Sequence, residues 1–343
     1  MKKLISSLLL AGLAAAPAAQ ADQKLCVYDL LGSAGDMTNM ARDYAVAAQA
    51  LGAQISIKSY TDERVATEEL LAGQCDAVMA TGFRTRQFNP TAAALDSLGV
   101  STIVRNDIVD MPASYQVVRK TVETFSSPAA SKFMVRGKFE VGGIIPFGTA
   151  YPVVNDRNMR TVESLAGKKI ASFDYDKAQA IMIQKIGAQP VSADITSFAG
   201  KFNNGSVDMI AAPAMAYRPL ELYRGIGTKG AIQRFPIMIL TYQVILNKAK
   251  FPEGFGEKSR RYWLGQYDRA MTLIKKAEKD IPAATWGDLT SENMIKYTIM
   301  LRESRIAIAE QGVYDKTGLK IIKRVRCSIS AADSECSLNT ENW

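Results

Sequence analysis

Two short segments concentrate the side chains able to hold a small charged molecule. One is the loop TGFRTRQF (81–88), which carries Phe83, Arg84 and Arg86 just past an apolar strand-like run, CDAVMA. Guanidinium groups there suit bidentate contact with an anionic group, the alternative being a solvated basic turn. The other is Phe173, Asp174, Tyr175 and Asp176, two aromatics alternating with two carboxylates ahead of a helix-like stretch. That set suits a cation through charge and cation–π contact. The competing role is helix N-capping by Asp174 or Asp176. Pro213 and Tyr217 follow a second apolar run, SVDMIAA, while Phe147 and Thr149 stand where the chain passes between its two halves. Arginine on one side with acid and aromatic on the other points to a small polar metabolite, zwitterionic or amine-bearing. The chain has no histidine, which removes Ser-His-Asp and Cys-His catalysis and the common imidazole metal sites. Neither an enzyme, a metal site nor a cofactor is expected.

The elements that must position these residues are written twice. Gly52-Ala53-Gln54 is followed by a polar stretch and GQCDAVMA (73–80); Gly187-Ala188-Gln189 is followed by a similar stretch and GSVDMIAA (205–212). A short apolar strand precedes each copy, KLCVYDL (24–30) and KKIASFD (168–174). Each copy reads as strand–helix–strand–helix–strand, a parallel sheet covered by helices. Such sheets offer ligand sites at the carboxyl ends of their strands. The expected fold is therefore α/β and two-lobed, with two parallel-core sheets facing each other across a cleft. Residues 22–144 with 236–255 form the first lobe and 145–235 the second. The runs KFEVGGIIPFG (138–148) and FPIMILTYQVILN (235–247) cross between them as a double hinge. Long helices within 256–311 brace both lobes, and 312–343 is a C-terminal segment with a disulfide loop. Asp76 and Asp208 recur at strand starts, opposite the ligand ends, and read as structural caps.

Residues 1–21 have the form of an export signal: Lys2 and Lys3, an apolar run from Leu4 to Ala16, then Ala19-Gln20-Ala21. Cleavage after Ala21 and a periplasmic address are expected. Four cysteines agree with an oxidising compartment. Of the three pairings they allow, Cys26–Cys75 and Cys327–Cys336 are favoured, with free thiols as the alternative. The net charge of +8, or +6 once Lys2 and Lys3 are discounted, is spread over KSRR (258–261), KKAEK (275–279) and KIIKRVR (320–326). These read as solvated faces, without nucleic acid as a partner.

GKKI (167–170), GAQPV (187–191) and NGSVD (204–208) resemble the solute-binding subunits of tripartite (TRAP, DctP-like) transporters. The whole chain, including TGFRTRQFNP and IPFGTAYP, is more closely similar to solute-binding proteins of the AdeT type, some of which carry a drug-efflux label. The resemblance implies a two-lobed, hinge-linked periplasmic binding protein fold, type II-like, that works with membrane transporter subunits or with efflux components. Transporter subunits of this kind usually carry a ligand-clamping arginine two residues beyond the last lysine of this strand motif. Here that position is Ala171, and a methyl group cannot grip a carboxylate.

Overall fold

A computed structural model describes residues 22–343; the expected signal and its cleavage site lie outside the described residues. The first lobe begins with β1 (Gln23–Tyr28), α1 (Asp36–Gln49), β2 (Ile55–Tyr60), α2 (Glu63–Leu71) and β3 (Ala77–Thr81). Met37, Met40, Ala41, Tyr44 and Ala48 recur at helical spacing and form the buried face of α1. α2 starts where Asp62 accepts the Arg64 amide at 2.8 Å. β1 lies between β2 and β3, parallel to both. α3 (Met111–Ser126) follows, capped by Asp110, and β4 (Phe139–Val154) then leaves the lobe.

The second lobe repeats the pattern with β5 (Lys169–Phe173), α4 (Lys177–Lys185), β6 (Gln189–Ala193), α5 (Phe198–Asn203) and β7 (Met209–Ala212). β5 is parallel to both β6 and β7. The duplication extends to atoms. Gly52 and Gly187 both take positive φ, +86° and +72°, at helix ends where an L side chain would be strained. Each amide donates at 3.0 Å to the carbonyl three residues back, Gln49 and Gln184. Asp76 and Asp208 each accept an amide near the start of the neighbouring strand, that of Lys24 and of Lys169, at 2.9 Å. Both are structural, at the strand ends away from the cleft.

β8 (Met238–Asn247) returns antiparallel to β4. The two sheets are not separate, because the far end of β4 also pairs with β7. One ladder runs β2-β1-β3-β8-β4-β7-β5-β6. Sixteen residues make β4 long enough to serve both sheets, at about 3.3 Å per residue. Midway its register slips: Leu240 faces Gly148 but Thr241 faces Pro146, which leaves Phe147 as an extra residue. Gly148, at φ +113°, takes up the bend. A bulge of this kind kinks a strand and increases its twist.

The remaining helices are α6 (Phe255–Gly265), α7 (Tyr267–Lys279), α8 (Ser291–Glu310) and α9 (Lys316–Ile329). The first of the long helices expected within 256–311 is broken at Gln266, just after Gly265, a weak helix former. α8 touches both lobes: Glu303 pairs with Lys185 at 3.6 Å, and Arg305 donates to the Leu98 carbonyl at 2.7 Å. No helix of the described residues is long and apolar enough to cross a membrane.

The basic runs are not simply solvated faces. Arg260 is buried and donates to Glu140 at 2.7 Å and to the Val141 carbonyl at 2.8 Å. Lys323 and Arg326 are buried as well; Lys323 donates to the Leu338 carbonyl at 2.8 Å, and Arg326 pairs with Glu335 at 2.7 Å and donates to the Val100 carbonyl at 2.8 Å. Cys26–Cys75 and Cys327–Cys336 are both bonded.

Candidate interlobe binding site

The loop after β3 folds into one turn, Gly82–Thr85, fixed by a buried polar chain. Asp96, wholly buried, accepts the Thr241 amide at 2.7 Å and the Thr241 hydroxyl at 2.5 Å. Gln243 donates to Thr241 Oγ1 at 3.3 Å and accepts from Thr85 Oγ1 at 3.0 Å. A Cβ on Gly82 would stand 2.0 Å from Asp96 Oδ2, so the turn rests directly on that carboxyl. The arginine loop is thereby anchored to β8.

Burial pushes the Asp96 carboxyl up to about 7, against the pull of the Thr241 donors and Arg86. A raised carboxyl pKa favours the fold while protonated. That contribution is complete below the unfolded value near 3.8 and is lost as pH rises through about 7. Asp96→Asn should therefore flatten the pH dependence, its stability relative to the parent rising by a few kcal/mol from pH 4 to pH 8 (about 1.4 kcal/mol per pKa unit). Urea midpoints at pH 4, 6 and 8 measure this; parallel pH curves would count against the buried acid.

On the other lobe, β5 ends at Phe173 and the chain turns through Asp174 and Tyr175 into α4. Asp176 is the N-cap, accepting the Ala178 amide at 3.0 Å. The two segments meet across the cleft. Arg86 Nη1 lies 3.3 Å from Asp176 Oδ1, while Nη2 donates to the Asp96 carbonyl at 3.2 Å. The Tyr175 hydroxyl donates to Glu63 Oε1. Arg84 lies 4.4 Å over the Tyr175 ring and donates from Nε to Thr67 at 3.2 Å. Phe83 meets Phe173 edge-on at 6.2 Å, and Phe173 stacks on Tyr175 at 5.4 Å.

Between these contacts is a cavity of about 60 Å³, walled by Phe83, Phe147, Phe173 and Pro213 together with aliphatic side chains from both lobes. Ala171 is on its wall. A wider cleft of about 250 Å³ adjoins it, sharing Leu30 and Phe147 and lined by Tyr217, Asp29 and Tyr242. Arg84 and Arg86 line neither space, being engaged with Thr67, the Tyr175 ring, Asp176 and the Asp96 carbonyl. Asp174 is exposed and also outside both linings. Thr149 is buried with its hydroxyl 3.0 Å from that of Tyr115, so it fixes the crossing strand.

The polar wall residues Glu63, Thr81 and Gln179 escape sequence reasoning. Glu63 reads as a first-turn acid suited to the helix dipole; it is instead buried, accepting from Thr81 Oγ1 at 2.7 Å as well as from Tyr175. Burial raises its pKa, and the Tyr175 and Thr81 hydrogen bonds pull it back. The available signal was its neighbour: Asp62 already caps α2, leaving Glu63 without a local task. Among the described residues no cluster of His, Cys, Asp and Glu is placed to hold a metal ion.

Residues 44–341 match the family model described as Solute-binding protein AdeT 1/2. The "Probable solute-binding protein AdeT1" of Acinetobacter baumannii is 41% identical over 315 residues, covering 92% of this chain and all of that protein. Among solved structures, a TRAP periplasmic solute-binding protein from Desulfovibrio salexigens with bound orotic acid superposes with TM-score 0.72 at 13% identity. One from Ralstonia eutropha H16 with bound (S)-2-acetolactate gives 0.68 at 12%. Each alignment covers 90% of this chain and 99% of the other. At these identities the structural likeness establishes the fold.

Proposed function

The chain belongs to the AdeT 1/2 family of solute-binding proteins, and from that premise we propose that it captures a small solute between its lobes in the periplasm and presents it to a TRAP-type or similar membrane transporter. Its family and its structural neighbours are solute-binding proteins rather than enzymes. The observation that carries the reading is the cavity closed by contacts from both sides, Arg86 with Asp176 and Glu63 with Tyr175. Residues 22–144 with 236–255 move as one lobe and 145–235 as the other, flexing at the Phe147 bulge, while the helices of 256–311 lie behind. Opening breaks the two cross-lobe contacts; a solute that touches both walls restores them. An amine-bearing solute suits this site better than a zwitterion, since both loop arginines already have partners.

Native mass spectrometry of protein purified without denaturation is expected to show a retained small molecule. Returning that molecule to stripped protein should raise the melting temperature as the logarithm of its concentration. Absence of any retained solute, together with co-purifying envelope proteins, would favour an accessory role in a drug-efflux system instead.

A further inference from the structure

The inner cavity is walled almost entirely by carbon: Ile170, Met182, Ile183, Ile195 and Met209 come from the second lobe alone. Of its polar groups, the Gln179 carbonyl oxygen is taken by the Phe173 amide at 2.9 Å, and the Thr81 hydroxyl is turned to Glu63. Glu63 is the one carboxyl on the wall, and no lysine or arginine of the described residues lines it. Its donors are two hydroxyls and, at 3.4 Å, the Thr81 amide, all neutral. Arg84 acts on Glu63 through space and pulls its pKa down, but its guanidinium is directed to Thr67 and the Tyr175 ring and makes no hydrogen bond to the carboxyl. A buried carboxylate without a cationic hydrogen-bond partner is costly, and a cation beside it relieves that cost. An anionic solute meets the reverse situation. It finds Ala171 in place of a fixed positive charge and has Glu63 as its neighbour.

Resting on the capture reading above, we infer that the cavity takes a compact, largely apolar solute bearing one protonated amine, seated against Glu63 with its apolar body among the aliphatic wall residues. Phe83 and Phe173, edge to face at the mouth, enclose the body. A body too large for the inner 60 Å³, such as a phenyl ring, extends between Leu30 and Phe147 into the adjoining cleft of about 250 Å³.

Three probes of one shape separate the chemistries: phenethylamine, phenethyl alcohol and phenylacetate, titrated by calorimetry into protein stripped of retained solute. Phenethylamine is expected to bind at least about tenfold more tightly than either of the others. Glu63→Gln should abolish that preference, read as the ratio of amine to alcohol affinity within the variant, while the circular dichroism spectrum stays as in the parent. Tyr175→Phe, which loosens closure but leaves the carboxyl in place, should weaken all three probes alike and keep their affinity ratio. A preference for phenylacetate, an amine preference that survives Glu63→Gln, or binding of none of the three overturns the inference. Capture itself is judged separately, by whether cell-purified protein retains a solute of another class.

Discussion

Arg305→Met is expected to lower the unfolding free energy by about 3–5 kcal/mol, the usual consequence of removing one partner from a buried ion cluster. Arg305 is fully buried at the base of α8. Its Nε and Nη2 donate to Glu341 at 2.6 and 2.9 Å, Nη2 also to Glu335 at 2.7 Å, and Nη1 to the Leu98 carbonyl at 2.7 Å. Arg326 shares Glu335 at 2.7 Å and donates to the Val100 carbonyl at 2.8 Å. The cluster thus fastens the disulfide-closed C-terminal segment to the first lobe. Without Arg305, two buried carboxylates would compete for the Arg326 guanidinium. Burial acts to raise Glu341, but Arg305 and Arg326 outweigh it and hold the carboxyl below its ordinary range. A depressed carboxyl stabilises the fold above its unfolded pKa, and that contribution disappears as pH falls through the folded value. The deficit of the variant should therefore be full at pH 7 and shrink in acid. Urea unfolding at pH 7 and pH 3.5 tests both statements; equal midpoints for parent and variant at pH 7 would remove the cluster as a structural anchor.

Arg86→Met is expected to weaken binding of the retained solute by about tenfold or more and to expand the protein in small-angle scattering. Asp176, 2% exposed, would lose the guanidinium paired with it while keeping the Ala178 amide. The closed form would lose a partly buried pair that the open form does not have. Apparent affinity falls with the fraction of closed molecules. Asp176→Asn preserves the helix cap, since asparagine serves that position as well as aspartate, and should act in the same direction more mildly. Unchanged affinity and dimensions in both variants would mean that the pair has no part in closure.

What the sequence made legible was local. The matched Gly-Ala-Gln triplets mark helix ends, where positive φ demands glycine, and the paired aspartates mark strand starts. Phe83 and Phe173 could be placed at strand ends because a parallel sheet fixes where its strands deliver their side chains. Contacts between distant residues were not legible. Arg86 and Asp176 are 90 positions apart, and Tyr175 and Glu63 are 112 apart. A buried pair looks like two surface charges until both partners are located. For the same reason Arg260 and Arg326 read as solvated basic residues, although Glu140, Glu335 and Glu341 draw them inside. The unbroken ladder was hidden because apolar runs give no sign of how far a crossing strand continues past its own sheet.

The central claim is closure of two lobes on a small solute, and the distance between the lobes reports it most directly. Spin labels at Val46 on α1 and at Tyr223 in the second lobe, both exposed positions, would be introduced through orthogonal residues that spare the four cysteines. Removing the retained solute by unfolding and refolding should lengthen and broaden the distance distribution, and returning it should restore the short, narrow one. A single distance, the same with and without solute, would contradict capture by lobe closure.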